Sequence, residues 1–169
     1  MKTSTFSVRD LAEIAIVAAI YVALTLTPPL NAISFGAVQF RISEMLNFLA
    51  FYNPKYIIGV TIGCMIANLI GFGVIDLFVG GFSTLIFVTL GVKLFSKYKD
   101  HYLFNGLINK AFLYFSLFFS FTMFTIALEL KFLYNLPFFL TWLTTAAGEL
   151  LSLLVGAVIM DKLAKRLNL

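Results

Sequence analysis

The chain has 169 residues, of which 61% are hydrophobic and only 12% charged, against roughly 25% charged in a soluble domain. That leaves too little polar surface to cover a water-facing globule, and 20 Phe and 7 Tyr push the same way, so the composition excludes a soluble catalytic domain and implies an all-α integral membrane protein. The net charge of +4 comes from short basic clusters between apolar runs, a pattern that membrane topology explains and nucleic-acid binding does not.

Six apolar segments follow in chain order. The first spans about 10–27 and stops at Pro28-Pro29, because proline cannot continue a helix. Lys2 and Arg9 precede it in the manner of a signal peptide, but Asp10 and Glu13 interrupt its start and no small-residue cleavage site follows, so it reads as a retained helix. Asp10 and Glu13 suit its positive N-terminal end. A mostly uncharged loop covers 28–40, and a short second helix covers 41–52, closed by Asn53-Pro54. The third helix, 55–70, ends at the turn Gly71-Phe72-Gly73. The fourth covers 75–95, with Gly80-Gly81 offering a bend, and a polar loop with Lys97, Lys99, Asp100 and His101 follows. The fifth covers 106–128; Glu129 to Asn135 read as a short loop whose charges, Glu129 and Lys131, are solvated. The sixth covers 137–162, with Pro137 in its first turn. The whole chain forms a single transmembrane domain with no soluble linker and no internal repeat. The lone cysteine, Cys64, lies in an apolar run and excludes an intrachain disulfide.

Orientation follows from Lys and Arg. With the N-terminus inside, ten of the twelve basic residues lie at inner ends and only Arg41 and Lys131 at outer ends. The positive-inside rule therefore places both termini in the cytoplasm.

The few polar residues in or near the apolar segments are the candidates for function. A carboxylate in a helix costs several kcal/mol in hydrocarbon unless it meets a cavity or a partner. Arg41 and Glu44, spaced i, i+3, either pair with each other or contact a ligand. Asp76 either caps the fourth helix or contacts a ligand. Asn68 suits an interhelical hydrogen bond as well as a ligand. Glu149 lies 12 residues past Pro137, about 18 Å along the helix and near mid-membrane. It has no basic residue three or four positions away, and that favours a functional role. Together these side chains are placed to converge on a pocket in the outer half of the bundle.

Small residues form two strips. Ala15, Ala19 and Ala23 recur every four residues, widened by Ala12 and Ala18, and Gly148, Ser152 and Gly156 form a similar row. Such strips let another helix approach closely; packing inside the bundle is the preferred reading for the second strip, and the first is open between packing and a partner. No phosphate-binding loop, zinc-binding or nucleophile-elbow motif is present, so the chain is not an enzyme of those kinds and reads as a binding or transport protein without cofactor or metal.

The stretch Ile33-Ser-Phe-Gly-Ala-Val-Gln-Phe-Arg-Ile-Ser-Glu44 resembles the signature of the QueT family, and the likeness continues through Phe51-Tyr-Asn-Pro-Lys-Tyr56, Gly63-Cys-Met-Ile-Ala-Asn68 and Ile75-Asp76. These proteins are substrate-binding (S) components of energy-coupling factor (ECF) transporters, assigned to queuosine precursors. The resemblance implies a six-helix S component in the prokaryotic cell membrane. Its outer pocket would be covered by the loop after helix one, so that Phe35 or Phe40 can stack on a flat heterocycle. Gln39, Phe40 and Arg41 lie in the most specific part of the signature. The resemblance also tips Ala15, Ala19 and Ala23 toward docking on the transmembrane coupling (T) component, with two separate ATPase subunits supplying energy. A 7-deazaguanine ligand presents a ring N–H and an amine side by side, which one carboxylate can accept; Glu44, Asp76 and Glu149 are the candidates. The alternatives are an S component for another flat vitamin or base, and a stand-alone ion-coupled transporter using Glu149 as proton site.

Overall fold

The computed structural model describes residues 6–36, 38–103 and 105–167; Lys2 lies outside them. It is an all-α bundle turned inside out relative to a soluble protein. Phe82, Leu94, Phe121, Phe139, Leu143 and Leu151 are exposed, while Arg41, Glu44, Asn68, Asp76, Glu129 and Glu149 are buried. That is the arrangement hydrocarbon demands.

Helix α1 (Val8–Leu26) starts in a capping box: Ser7 Oγ accepts from the Asp10 amide and the Asp10 carboxylate accepts from the Ser7 amide, so two free N–H groups are satisfied together. Leu30–Ser34, inside the expected loop, forms a one-turn helix, α2. The expected second helix is a 3-10 helix, Ile42–Phe51, buried along most of its length. Its tighter winding eclipses side chains three apart, and Asn47 accordingly donates to Glu44 Oε2 at 2.6 Å. Helix α3 (Tyr56–Gly71) and helix α4 (Val74–Phe95) join through Gly73, whose φ of 100° suits glycine. Helix α4 runs unbroken through Gly80-Gly81. A Cβ at Gly80 would strike the Asn68 amide and one at Gly81 the Met65 side chain, so these glycines admit close helix packing in place of a bend.

The loop that follows carries a two-residue hairpin, β1 (Tyr102–Leu103) and β2 (Ile108–Asn109), turning through Asn105 and Gly106 at positive φ. The expected fifth helix is two: α5 (Lys110–Phe121) and α6 (Phe124–Tyr134). At the break Thr122 Oγ1 donates to the Phe119 carbonyl at 2.6 Å and Thr125 Oγ1 to the Thr122 carbonyl at 3.0 Å, side-chain bonds that compete with helical ones. Helix α6 continues through the expected loop, since nothing from Glu129 to Tyr134 breaks a helix, and it ends at Asn135 in the left-handed conformation. Helix α7 (Phe138–Leu167) runs past the expected end. Among the described residues three stretches are long and apolar enough to cross a membrane: Val74–Tyr98, Lys110–Tyr134 and Phe138–Leu167.

The 3-10 helix is the hub of the bundle. It packs against α7, α1 and α3. Phe48 stacks on Phe112 with ring centroids 4.3 Å apart and meets Phe115 edge-on, a geometry that adds to simple burial. The row Gly148, Ser152, Gly156 on α7 packs inside the bundle, as preferred from sequence. A Cβ at Gly148 would come within 2.6 Å of the Gln39 carbonyl, Gly156 faces Met45, and Ser152 donates to the Arg41 carbonyl. At the basic end, the Lys55 ammonium sits between Asp10 and Glu13 at 2.7 and 2.6 Å and ties α1 to the start of α3.

Candidate substrate site

A small enclosed chamber lies among the 3-10 helix, α3, α4, α5, α6 and α7. Gln39, Arg41, Glu44, Asn68 and Glu149 line it, with Cys64, Thr84, Gly80, Phe119 and Met123 completing the wall. Its volume is about 20 Å³, room for one water. Towards the end where α3 meets α4 and α6 meets α7 is a larger cavity of about 610 Å³, lined by Phe35, Gly36, Gln39, Phe72, Tyr134, Pro137 and Thr145 among others. Gln39 borders both spaces. The backbone segment that carries it rests on α7 where Gly148 leaves room.

Arg41 lies at the centre of the chamber wall, yet it does not pair with Glu44. It precedes the 3-10 helix in an extended conformation, φ −103° and ψ 102°, so the two side chains do not share a face. Its Nη1 donates to Asn68 Oδ1 at 2.9 Å, Nε reaches the Ser34 carbonyl at 3.4 Å, and the guanidinium lies 5.1 Å from the Phe35 ring centroid, a cation–π contact. Phe35 also meets Phe72 edge-on at 5.1 Å, and its ring fills the space that Gly71 leaves without a side chain.

Glu44 is fully held: Tyr21 Oη donates to Oε1 and Asn47 Nδ2 to Oε2. The other acids are not. Glu149 Oε1 is buried with no hydrogen-bond partner. Asp76 does not cap α4; the cap position is Gly73 and no side-chain cap bond forms. Its Oδ2 receives no donor from any other residue type; the carboxyl lies within hydrogen-bonding reach of Glu129 of α6, and two carboxyls bond only by sharing a proton. Glu129 is thus no solvated loop charge: it is 7% exposed and, Asp76 apart, neither oxygen has a partner. Lys131, by contrast, is exposed. Buried polar groups normally find partners; Glu149 and the Asp76–Glu129 pair receive no donor from the other described residues.

Of the residues singled out from sequence, Gln39, Arg41, Glu44, Asn68 and Glu149 come together at the chamber. Phe35 covers Arg41 and lines the larger cavity. Asp76 stands one turn before Gly80 of the chamber wall. Phe40 borders neither cavity; its amide donates to the Ile33 carbonyl at 3.0 Å. Sequence reasoning missed Tyr21, Cys64, Thr84 and Glu129. Thr84 and Asn68 both reach Cys64 Sγ, at 3.3 and 3.4 Å. On the far side of α1, Ala15, Ala19 and Ala23 are exposed and, with Ile62 and Ile66, line a shallow groove.

A bundle that is apolar outside, polar at its centre and lined there by buried acids beside a larger cavity is a helical membrane protein with room for a small polar solute. The chain belongs to the QueT transporter family, whose model matches residues 11–165. It is similar to the queuosine precursor transporter QueT of Lactococcus lactis subsp. cremoris (strain MG1363), with 62% identity over 160 residues that cover 95% of each chain. No solved structure matches it.

Proposed function

We propose that this protein is the S subunit of an ECF-type importer that binds a 7-deazaguanine queuosine precursor from the outer side of the plasma membrane. The observation that carries the reading is the chamber itself, with Glu149 Oε1 unpartnered in its wall. A carboxylate there can accept the adjacent ring N–H and amine of a guanine-like base, and such charge-assisted bonds are the stronger kind. The outer cavity has the size of a small-molecule site, and Phe35 and Phe72 flank it with aromatic faces. The naming of the Lactococcus relative as a queuosine precursor transporter supports the ligand class. The chamber admits one water and not a bicyclic base, so binding requires the Gln39 segment between the two spaces to shift. In this reading the end that carries Arg9, Lys55, Lys93, Lys97, Lys99, Lys110, Lys162, Lys165 and Arg166 faces the cytoplasm by the positive-inside rule.

The test is ligand identification by mass spectrometry on the purified protein, followed by equilibrium binding. Saturable binding of a 7-deazaguanine base is expected. A different co-purifying flat base or vitamin, with no 7-deazaguanine binding, would refute the ligand class. The unpartnered Glu149 also suits a proton site, and this is the one observation favouring a stand-alone ion-coupled transporter. Uptake that persists after loss of every ATPase module would decide for that reading.

The exposed alanine strip of α1 is the proposed seat of the T component. Ala19→Leu should lower the yield of the assembled complex several-fold and leave ligand affinity unchanged, because a leucine there holds a partner helix away. Co-purification alongside binding on the isolated subunit checks this; a normal complex yield would remove the strip from the interface.

A further inference from the structure

The acids at the heart of the bundle outnumber the cations. Glu44, Asp76, Glu129 and Glu149 are all buried, at 3%, 4%, 7% and 3% exposure, and Arg41 is the buried base among them. Arg41 directs two of its N–H groups to Asn68 and the Ser34 carbonyl. Among the described residues the ion pairs within 4.0 Å are Arg9–Glu13, Lys55–Asp10, Lys55–Glu13 and Lys165–Asp161, none involving these four acids. Four carboxyl groups therefore share one guanidinium that pairs closely with none of them. Such an imbalance is costly in hydrocarbon. A proton shared between Asp76 and Glu129 offsets part of it; an ammonium group would take the place of that proton and bring up to three N–H donors to oxygens that no other residue serves.

The pair Asp76 and Glu129 is the place for that ammonium. Both lie on helices that wall the chamber: Asp76 is one turn before Gly80 on α4, and Glu129 follows Ile126 by three residues on α6, so each acid shares a helix face with a wall residue. Asn68, in the wall, reaches the Asp76 carbonyl at 3.4 Å. Asp76 Oδ1 lies 3.6 Å from where a Cβ on Gly80 would stand, so the pair borders the chamber, within reach of an arm on a bicyclic base. A metal ion is not the better occupant, since among the described residues no three His, Cys, Asp or Glu side chains converge and two carboxyls are fewer ligands than such ions take.

We infer that Asp76 and Glu129 form a subsite for a protonated amine on the side arm of the ligand, so that the protein selects amine-bearing deazaguanines over uncharged ones. This rests on the deazaguanine reading above and narrows it. The test uses the two bases that share a ring and differ in the arm, 7-aminomethyl- and 7-cyano-7-deazaguanine, in equilibrium binding to the purified full chain. The wild-type protein should bind the aminomethyl base at least about tenfold more tightly. Glu129→Gln and Asp76→Asn should each cut that affinity and bring the ratio of the two bases toward one. Equal wild-type affinities, or a preference for the nitrile, would overturn the subsite and leave the deazaguanine reading standing. A ratio unchanged in both variants would also overturn it. Failure of the wild-type protein to bind either base would overturn both readings. The wild-type comparison needs no substitution, so a variant that misfolds cannot shelter the proposal.

Discussion

An Arg41→Met protein is expected to unfold in detergent on the order of 10 °C below the wild type. Arg41 is 8% exposed, holds Asn68 by a 2.9 Å hydrogen bond and lies against Phe35. Methionine replaces its volume but leaves Asn68 Oδ1 without its donor and four buried acids without a counter-charge. Losing a buried hydrogen bond to a charged group costs about 1.5–3 kcal/mol, the lost counter-charge adds to it, and 1 kcal/mol moves the midpoint by about 2–4 °C in a chain of this size. If the loss is electrostatic, adding Glu149→Gln to Arg41→Met should restore part of it, since one acid is then neutral. Melting curves of the single and double variants decide the matter. A double variant no more stable than Arg41→Met alone would assign the loss to Asn68 and Phe35 instead.

Much of this arrangement is legible in the sequence, because hydrocarbon leaves polar groups few choices. Gln39, Arg41, Glu44, Asn68 and Glu149 stand out against apolar surroundings, and the structure brings all five to one chamber because a polar side chain facing lipid is the costly alternative. The inward turn of Gly148, Ser152 and Gly156 follows from the same reasoning with small residues.

The remainder depends on backbone detail that residue types do not announce. Winding Ile42–Phe51 as 3-10 and leaving Arg41 extended separates Arg41 from Glu44, although their spacing suits a helical pair. Glu129 looks like a loop charge beside Lys131. It is buried because the helix breaks earlier, at Thr122-Met123, where threonine hydroxyls take up backbone carbonyls without any proline or glycine to signal it. Tyr21 reads as one more aromatic residue on an apolar helix. Its partner Glu44 lies 23 positions away, and only the fold brings them together.

These differences sharpen what is expected of Glu149→Gln. Glu44 already has donors from Tyr21 and Asn47, so it is built into the bundle. Glu149 Oε1 has none, and no basic group lies within 4.0 Å of its carboxylate among the described residues. A structural ion pair with Arg41 is therefore not what holds it in place. Glutamine keeps the shape and removes the charge, and it replaces one acceptor oxygen with an amide that would face a ligand N–H. Hydrogen bonds to charged groups contribute about 1.5–3 kcal/mol, so affinity for the 7-deazaguanine ligand should fall by roughly ten- to a hundredfold or more. The ligand-free protein should melt at the same temperature as the wild type or above it, because a buried charge without close compensation is gone. The pairing of those two results separates a ligand contact from a scaffold residue. A scaffold acid would lose stability and keep its affinity wherever the protein stays folded, and that outcome, read from melts and isotherms on the same preparation, would remove Glu149 from the binding site.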